Sequence, residues 1–443
     1  VEDFSRYRVA LHSLGCKLNQ AELETLALQF TERGFEVVGP RDDADVYVMN
    51  TCTITAEADR KVRQWLRSAR RHNPEGLTVA VGCYVQREGS KLSPLADILV
   101  DNSGKGTVVD SVVARLRERD AFEGDENRAL HVDAVPYGRT RSFVRVQDGC
   151  ATPCSYCIVP MVRVGEWSVP VDEVVEIVEQ RVRSGHKEIV LTGTKIGVYQ
   201  DGDTTLAGLV RRVLEVPGLI RLRISSLQPA ELSEELLSLW QDKRLCPHIH
   251  MSLQSGSQSV LRRMRRAYSP AEFLQSMEDI RRAVPHVAIT TDVIVGFPGE
   301  SEAEFQETVS FCEAAEFARI HVFPYSARPG TRAAAMEGRL APEEMKARVR
   351  AMGEVASRSM DKYVDAFIGK TVQVLWEEET KPGSHVYSGT SDNYIHVLCE
   401  STQPLHNTVE DVILARDGGG AVWARRPCED KGGCEAERES SPC

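Results

Sequence analysis

The chain has 443 residues, 42% hydrophobic and 27% charged, an ordinary globular composition that excludes a fibrous or disordered protein. At roughly 150 residues per domain it has room for about three domains. Its formal net charge of −11 excludes a protein held on nucleic acid by bulk positive field, so any such contact must use local basic patches.

From the start of the chain, short apolar segments alternate with helical ones. Arg8–Leu14 is a predicted strand, Gln20–Arg33 a helix with apolar Leu23, Leu26, Ala27 and Phe30, and Asp45–Asn50 a second strand. A basic helix from Ala56 to His72, a strand at Leu77–Val81, another at Asp97–Val100 and a helix from Gly106 to Arg119 follow. Such alternation implies a mostly parallel sheet covered on both faces. Asp120–Val135 is polar and reads as a linker. Six further strands are predicted at Ser142–Val146, Glu188–Leu191, Leu219–Ile224, Ile249–Leu253, Ala288–Val295 and Arg319–Phe323, with helices such as Pro170–Ser184 and Glu302–Ala315 between them. Six such units suit an open, partial TIM-like barrel with its chemistry at the strands' carboxyl ends. A helical connector from Pro342 to Phe367 leads to Gly369–Arg426. That segment is β-type, with short strands at Thr371–Trp376, Tyr394–Leu398 and Thr408–Ala415 suited to a small barrel. The expected organisation is therefore α/β: an N-terminal domain over 1–135, a barrel with its connector over 136–368, a small β-barrel over 369–427 and a disordered tail over 428–443. No apolar run is long enough to span a membrane, and Val1–Arg6 lacks the apolar core of a signal peptide, so a cytosolic chain is expected.

Twelve cysteines in such a chain read as metal ligands or catalytic thiols before disulfides. Cys150, Cys154 and Cys157 form C-x3-C-x2-C on the loop after the first barrel strand. Three thiolates at this spacing can hold three irons of a [4Fe-4S] cube and leave the fourth iron open. Zinc is the bland alternative, although structural zinc sites usually use paired C-x2-C units and four ligands. Cys16, Cys52 and Cys83 each follow a strand of the first sheet, so they can converge at its ligand-binding edge. Three separate buried cysteines are the other reading. Cys246, Cys312 and Cys399 have no ligand-like neighbours and read as core, and Cys428, Cys434 and Cys443 lie in the polar tail.

These motifs resemble the radical S-adenosylmethionine (SAM) superfamily and, within it, the methylthiotransferases. The resemblance rests on Gly15–Glu22, Asn50–Thr55, Gly82-Cys83-Tyr84, Asp148–Cys157, Leu191–Gly193, Arg223–Pro229, Ser252–Ser257 and Asp292–Glu300. At the end, Gly369-Lys370, Tyr387–Thr390 and Asn393-Tyr394 are similar to the RNA-binding TRAM barrel. The resemblance implies that Cys150, Cys154 and Cys157 hold the radical-SAM cluster, whose open iron takes the amino and carboxylate groups of SAM. Reduction there cleaves SAM to a 5′-deoxyadenosyl radical. It implies further that Cys16, Cys52 and Cys83 hold an auxiliary [4Fe-4S] cluster that delivers sulfur or methylthio. Tyr156 matches the aromatic that meets the SAM adenine, or packs against the cluster. Gly193, Gln254, Ser255 and Gly296 occupy places where SAM contacts occur; the two glycines could instead serve turns, and Gln254 and Ser255 a polar barrel mouth. One loop departs from the family pattern: Met161–Val169 keeps Arg163 and Ser168, but its glycine is displaced and the trailing arginine is missing.

The motif Gly-Cys-Lys-Leu-Asn-Gln-Ala-Glu is similar to the branch acting on N6-threonylcarbamoyladenosine (t6A). It implies methylthiolation at C2 of that base at tRNA position 37. Isopentenyladenosine in tRNA and an aspartate of a small-subunit ribosomal protein are the alternative substrates. Implied partners are tRNA, an electron donor such as flavodoxin or ferredoxin, and a sulfur source. Candidate RNA contacts are Arg60, Lys61, Arg63, Arg67, Arg70 and Arg71 on one helix, Arg163, and the cluster Arg262, Arg263, Arg265 and Arg266, each of which could equally be a solvated face. The TRAM-like segment carries five Lys and Arg against eight Asp and Glu, so stacking on Trp376, Tyr387 or Tyr394 must do more there, unless those rings are core. Two other classes compete: a non-catalytic iron–sulfur RNA-binding protein, and a sulfur-inserting radical enzyme for small molecules. The open-iron motif argues against the first and the TRAM-like end against the second.

Overall fold

A computed structural model describes residues 4–123 and 140–426. The chain divides into two compact units, Val1–Val364 and Asp365–Cys443.

The first unit opens with β1 (Arg8–Ser13), α1 (Lys17–Glu32), β2 (Glu36–Val38), β3 (Val46–Thr51), α2 (Ala56–His72), β4 (Leu77–Gly82), α3 (Cys83–Glu88), β5 (Ile98–Val100) and α4 (Val108–Glu123). The five strands are parallel in the order β2-β1-β3-β4-β5. Val9, Leu11, Val46, Val48, Val79 and Val81 are buried among α1 and α4 residues, as a sheet covered on both faces requires. Helix α2 starts at Thr55, whose side chain accepts from the Ala58 amide, and its last turn carries Arg70, Arg71 and His72 beside the negative end of the helix dipole. Two elements were not predicted: β2 is a three-residue edge strand, and Cys83 begins the short helix α3.

The same unit continues with β6 (Arg141–Asp148), α5 (Val159–Val162), β7 (Trp167–Ser168), α6 (Val171–Arg183), β8 (Glu188–Gly193), β9 (Gln200–Asp201), β10 (Thr204–Thr205), α7 (Leu206–Leu214), β11 (Arg221–Ile224) and β12 (Ser226–Leu227). It ends with α8 (Glu234–Ser238), β13 (His248–Met251), α9 (Gln258–Met264), α10 (Pro270–Ala283), β14 (Ala288–Val295), α11 (Glu302–Ala315), β15 (Arg319–Pro324) and α12 (Pro342–Asp365). Strands β6, β8 and β11 pair in parallel, as do β12, β13, β14 and β15, and the Leu222–Leu245 bridge extends the first set. All six predicted strands are present, and the expected open (βα)6 arrangement holds. Helix α1 of the N-terminal part lies on the barrel: Ala21 packs with Phe143 and Val190, and Glu24 accepts from the Ser142 hydroxyl at 2.7 Å.

The second unit is a closed barrel of β16 (Thr371–Glu379), β17 (Val386–Ser391), β18 (His396–Glu400), β19 (Val409–Arg416) and β20 (Val422–Arg425), in the order β16-β17-β18-β20-β19. Its strands β17 and β20 were not among the predicted ones. The expected linker falls mostly, and the expected tail wholly, outside the described residues. Among the described residues no helix is long and apolar enough to cross a membrane.

Candidate functional site

Strands β1, β3 and β4 are neighbours, and Cys16, Cys52 and Cys83 follow their carboxyl ends within three residues. Cys16 and Cys52 flank the point where the strand order reverses, the usual ligand crevice of such sheets. Cys52 and Cys83 are buried and Cys16 is exposed at the lip. Burial, with the charges of Cys16 and Cys83 nearby, pushes the Cys52 thiol up to about 12. Gly15 has φ +123°, and a Cβ there would stand 2.9 Å from the Cys52 sulfur. Only glycine lets these two strand ends close on each other.

Cys150, Cys154 and Cys157 occupy the loop after β6. Gly149, at φ +77°, lets this loop pass the Met161–Val169 loop: a Cβ would stand 1.5 Å from the Gly165 carbonyl oxygen. Ser155 pins the middle of the loop, donating its amide to Met264 and its hydroxyl to Arg263 while its carbonyl accepts from Ala333. Arg266 donates to the Cys154 sulfur at 3.6 Å and to the Ser252 carbonyl. Burial, with Cys154 and Cys150 adding their charge, pushes the Cys157 thiol up to about 12.

Neither cysteine trio fits a single zinc ion. Zinc–sulfur bonds of about 2.3 Å keep ligand sulfurs within roughly 4.6 Å of one another. Among the described residues the only three His, Cys, Asp or Glu side chains with ligand atoms all within 4.8 Å are His250, Asp292 and His321. Three sulfurs to a trio suit a polynuclear iron–sulfur cube with one iron left open.

The two trios are joined by side chains that sequence reasoning missed. Cys83 packs against Ile158 and Val162, directly after Cys157. Asn102 donates to both the Cys83 sulfur, at 3.5 Å, and the Val162 carbonyl. Between the trios lies Arg163, 5% exposed, donating to Glu22 at 2.9 Å, Asp148 at 2.7 Å and Asn19 at 3.0 Å. Asn19 also accepts from the Cys16 thiol and donates to the Leu14 and Thr51 carbonyls. Burial works to raise the Glu22 carboxyl, but Lys105 and Arg163 outweigh it and hold it at about 2. The signal was available for Asn19 and Glu22, which lie in the Gly15–Glu22 motif.

Arg163, expected among the RNA contacts, is buried instead, its guanidinium held in an ionic network that links α1 to the barrel. Of the other basic candidates, Arg60 and Lys61 pair with Glu57, Arg63 donates to the Tyr84 hydroxyl, and Arg70 is bound by Asp97. Arg67 and Arg71 are exposed on the outer face of α2. Arg263 is paired with Glu304, and Arg266 is turned to Cys154 instead of to solvent.

The expected SAM residues lie around the barrel's carboxyl end. Tyr156 packs against Val260, Met264, Phe297 and Ala333. A Cβ at Gly193 would crowd Gln147, so close packing of β8 on β6 already requires that glycine. Gln254 has φ +69° and bridges to Val293, exchanging backbone hydrogen bonds with Asp292 and Ile294. Ser255 is fully buried with its hydroxyl engaged by Thr308 and the Ser257 amide, so it shapes the turn. Met345 and Leu340 lie over Gly296. In the small barrel Trp376 is fully buried and donates to Glu410, which removes it as a stacking platform, while Tyr387 and Tyr394 are half-buried. Cys246, Cys312 and Cys399 are buried as core.

Residues 144–312 match the family described as the Radical SAM superfamily, and residues 8–101 match Uncharacterized protein family UPF0004. The chain is 35% identical to the threonylcarbamoyladenosine tRNA methylthiotransferase MtaB of Bacillus subtilis (strain 168), over 93% of this chain and 94% of that protein. It is 36% identical to a tRNA-2-methylthio-N(6)-dimethylallyladenosine synthase of Syntrophotalea carbinolica, over 84% of this chain and 89% of that protein. In fold it is similar to the radical S-adenosylmethionine methyltransferase TsrM of Kitasatospora setae, with TM-score 0.54 at 14% identity over 74% of this chain and 77% of that one. The chain belongs to the radical SAM tRNA methylthiotransferase family.

Proposed function

We propose that this enzyme methylthiolates C2 of N6-threonylcarbamoyladenosine at position 37 of tRNA. The observation that carries the reading is the pair of cysteine trios in one compact unit, joined through Arg163 and Asn102. A carbon–hydrogen bond on an aromatic ring has no useful acidity, so its replacement needs a radical and a separate sulfur donor.

Cys150, Cys154 and Cys157 would hold one [4Fe-4S] cluster and Cys16, Cys52 and Cys83 the other. When bound, the first supplies the electron that cleaves SAM to a 5′-deoxyadenosyl radical and the second supplies sulfur. The protein's part is positioning. Arg266 holds the loop at Cys154, Tyr156 offers a ring beside the loop, and the Arg163–Glu22–Asp148 network fixes one trio against the other. Exposed Arg67 and Arg71 on α2 and the TRAM-like barrel of residues 369–427 would meet the RNA. The N-terminal domain of 1–135 and the radical-SAM core of 136–368 would share the chemistry. A tRNA substrate assigns the enzyme to the cytoplasm, with a flavodoxin- or ferredoxin-type electron donor and a sulfur source as partners.

Dimethylallyladenosine in tRNA is the second reading, favoured by the name of the Syntrophotalea relative. Nucleoside mass spectrometry of tRNA from cells lacking the protein separates them. Loss of methylthio-t6A, restored by complementation, supports the proposal. Loss of methylthio-isopentenyladenosine alone rejects it.

A further inference from the structure

In β13, β14 and β15, Ile249, Met251, Val293, Val295 and Ile320 join the core beneath the helices. Alternate residues of a strand face opposite sides, so His250, Asp292 and His321 face away from those helices. Asp292 pairs in register with His321, and His250 with Thr290. The ligand-capable atoms of His250, Asp292 and His321 lie within 4.8 Å of one another. His250 is held by Thr290 at 3.0 Å through Nδ1 and presents Nε2 to Asp292 Oδ2 at 3.3 Å. The Asp292 side chain is 30% exposed and His321 half-buried, so a ligand can reach both.

Helix α1 lies along the corresponding face of β6 and β8 through Ala21. Its first residue, Lys17, directly follows Cys16, and its charge reaches this patch. Burial works to raise the Asp292 carboxyl, but His250, His321 and Lys17 bring it below the usual range. Burial, Arg319, His250 and Lys17 together lower the His321 imidazole against the pull of Asp292. Lys17 acts electrostatically on Asp292 and His321, and Arg319 on His321. Both charges oppose a divalent cation here and favour a carboxylate ligand.

Resting on the t6A reading above, we propose that this patch is the subsite for the substituent on N6 of the substrate base. Lys17 and His321 take the threonine carboxylate, and Asp292, oriented by His250, accepts from the threonine hydroxyl. An isopentenyl chain offers this polar patch neither a charge nor a hydrogen-bonding group, a costly mismatch in a partly buried site.

The test uses the full, cluster-reconstituted chain and an anticodon stem-loop RNA carrying t6A, alongside the same RNA with the threonine carboxylate as its methyl ester. Wild-type enzyme should show a KM at least about tenfold higher for the ester, the scale of one lost charged hydrogen bond. Lys17→Gln and His321→Gln should each raise KM for the acid and bring acid and ester together, with kcat changed less. His321→Gln guards against a Lys17 effect on the adjacent Cys16, and iron content checks both variants. Equal use of acid and ester by the wild type, or an unchanged preference in both variants, overturns the subsite. Stoichiometric zinc held by the wild type and lost in His321→Gln overturns it too. A wild type that modifies isopentenyladenosine RNA but not t6A RNA overturns the substrate reading itself, before any variant is made.

Discussion

The two cysteine trios reach similar ends by opposite routes. Cys150, Cys154 and Cys157 lie within eight residues on one loop, so their proximity is local and survives as long as the loop is shaped correctly. Cys16, Cys52 and Cys83 are spread over 68 residues and meet only because β1, β3 and β4 are adjacent and parallel. A local site is insured by a glycine and a few backbone bonds. A site built by topology is insured by the whole sheet. What couples them is polar and buried: Arg163 reaches Glu22 and Asn19 on one side and Asp148 on the other.

The largest effect should follow from breaking that coupling. Arg163→Ala removes the guanidinium that donates to both Glu22 and Asp148, leaving Lys105 and the more distant Arg145 beside them, and loss of one member of a buried ionic group costs about 3–5 kcal/mol. Urea unfolding should show it; a change below about 1 kcal/mol would mean that the network is not coupling the two halves. The same network gives a pH signature. Glu22 titrates at about 2 when folded and near 4.3 when unfolded. Its stabilisation is thus complete above about pH 4.3 and is lost as pH falls towards 2. Glu22→Gln should flatten the wild-type stability decline in that window.

Next in size are the two glycines, which separate the trios. Gly149→Ala puts a methyl 1.5 Å from the Gly165 carbonyl oxygen, and Gly15→Ala puts one 2.7 Å from the Cys52 Cβ, both at positive φ. The first should remove the loop cluster and SAM cleavage while sparing the N-terminal cluster. The second should do the reverse, with 5′-deoxyadenosine still formed. Loss of both clusters in either variant would show that the trios fold as one.

The smallest effect concerns the surface. Arg67→Ala with Arg71→Ala should change stability by no more than about 0.5 kcal/mol. It should lower the slope of log tRNA affinity against log salt by up to about two contacts' worth. An unchanged slope would remove α2 from the RNA interface.

The contrast also explains what was legible in the sequence. Spacing alone exposes Cys150–Cys157, and strand periodicity suffices to place Cys16, Cys52 and Cys83 at one edge. The network around Arg163 was not legible, because its partners Glu22 and Asn19 stand more than 140 positions away. His250, Asp292 and His321 were invisible because alternation reveals two faces of a strand but not which one α1 covers. Edge strand β2, at three residues, is too short to carry a period.

Each trio is expected to hold its own cluster. Iron and sulfide should be quantified in anaerobically reconstituted wild-type chain and in the Cys150, Cys154, Cys157→Ala and Cys16, Cys52, Cys83→Ala triple variants. Two [4Fe-4S] clusters give about eight irons in the wild type and about four in each variant, with SAM cleavage kept only by the second. Undiminished iron in either triple variant, or complete loss in the second, would show that the trios do not hold separate clusters.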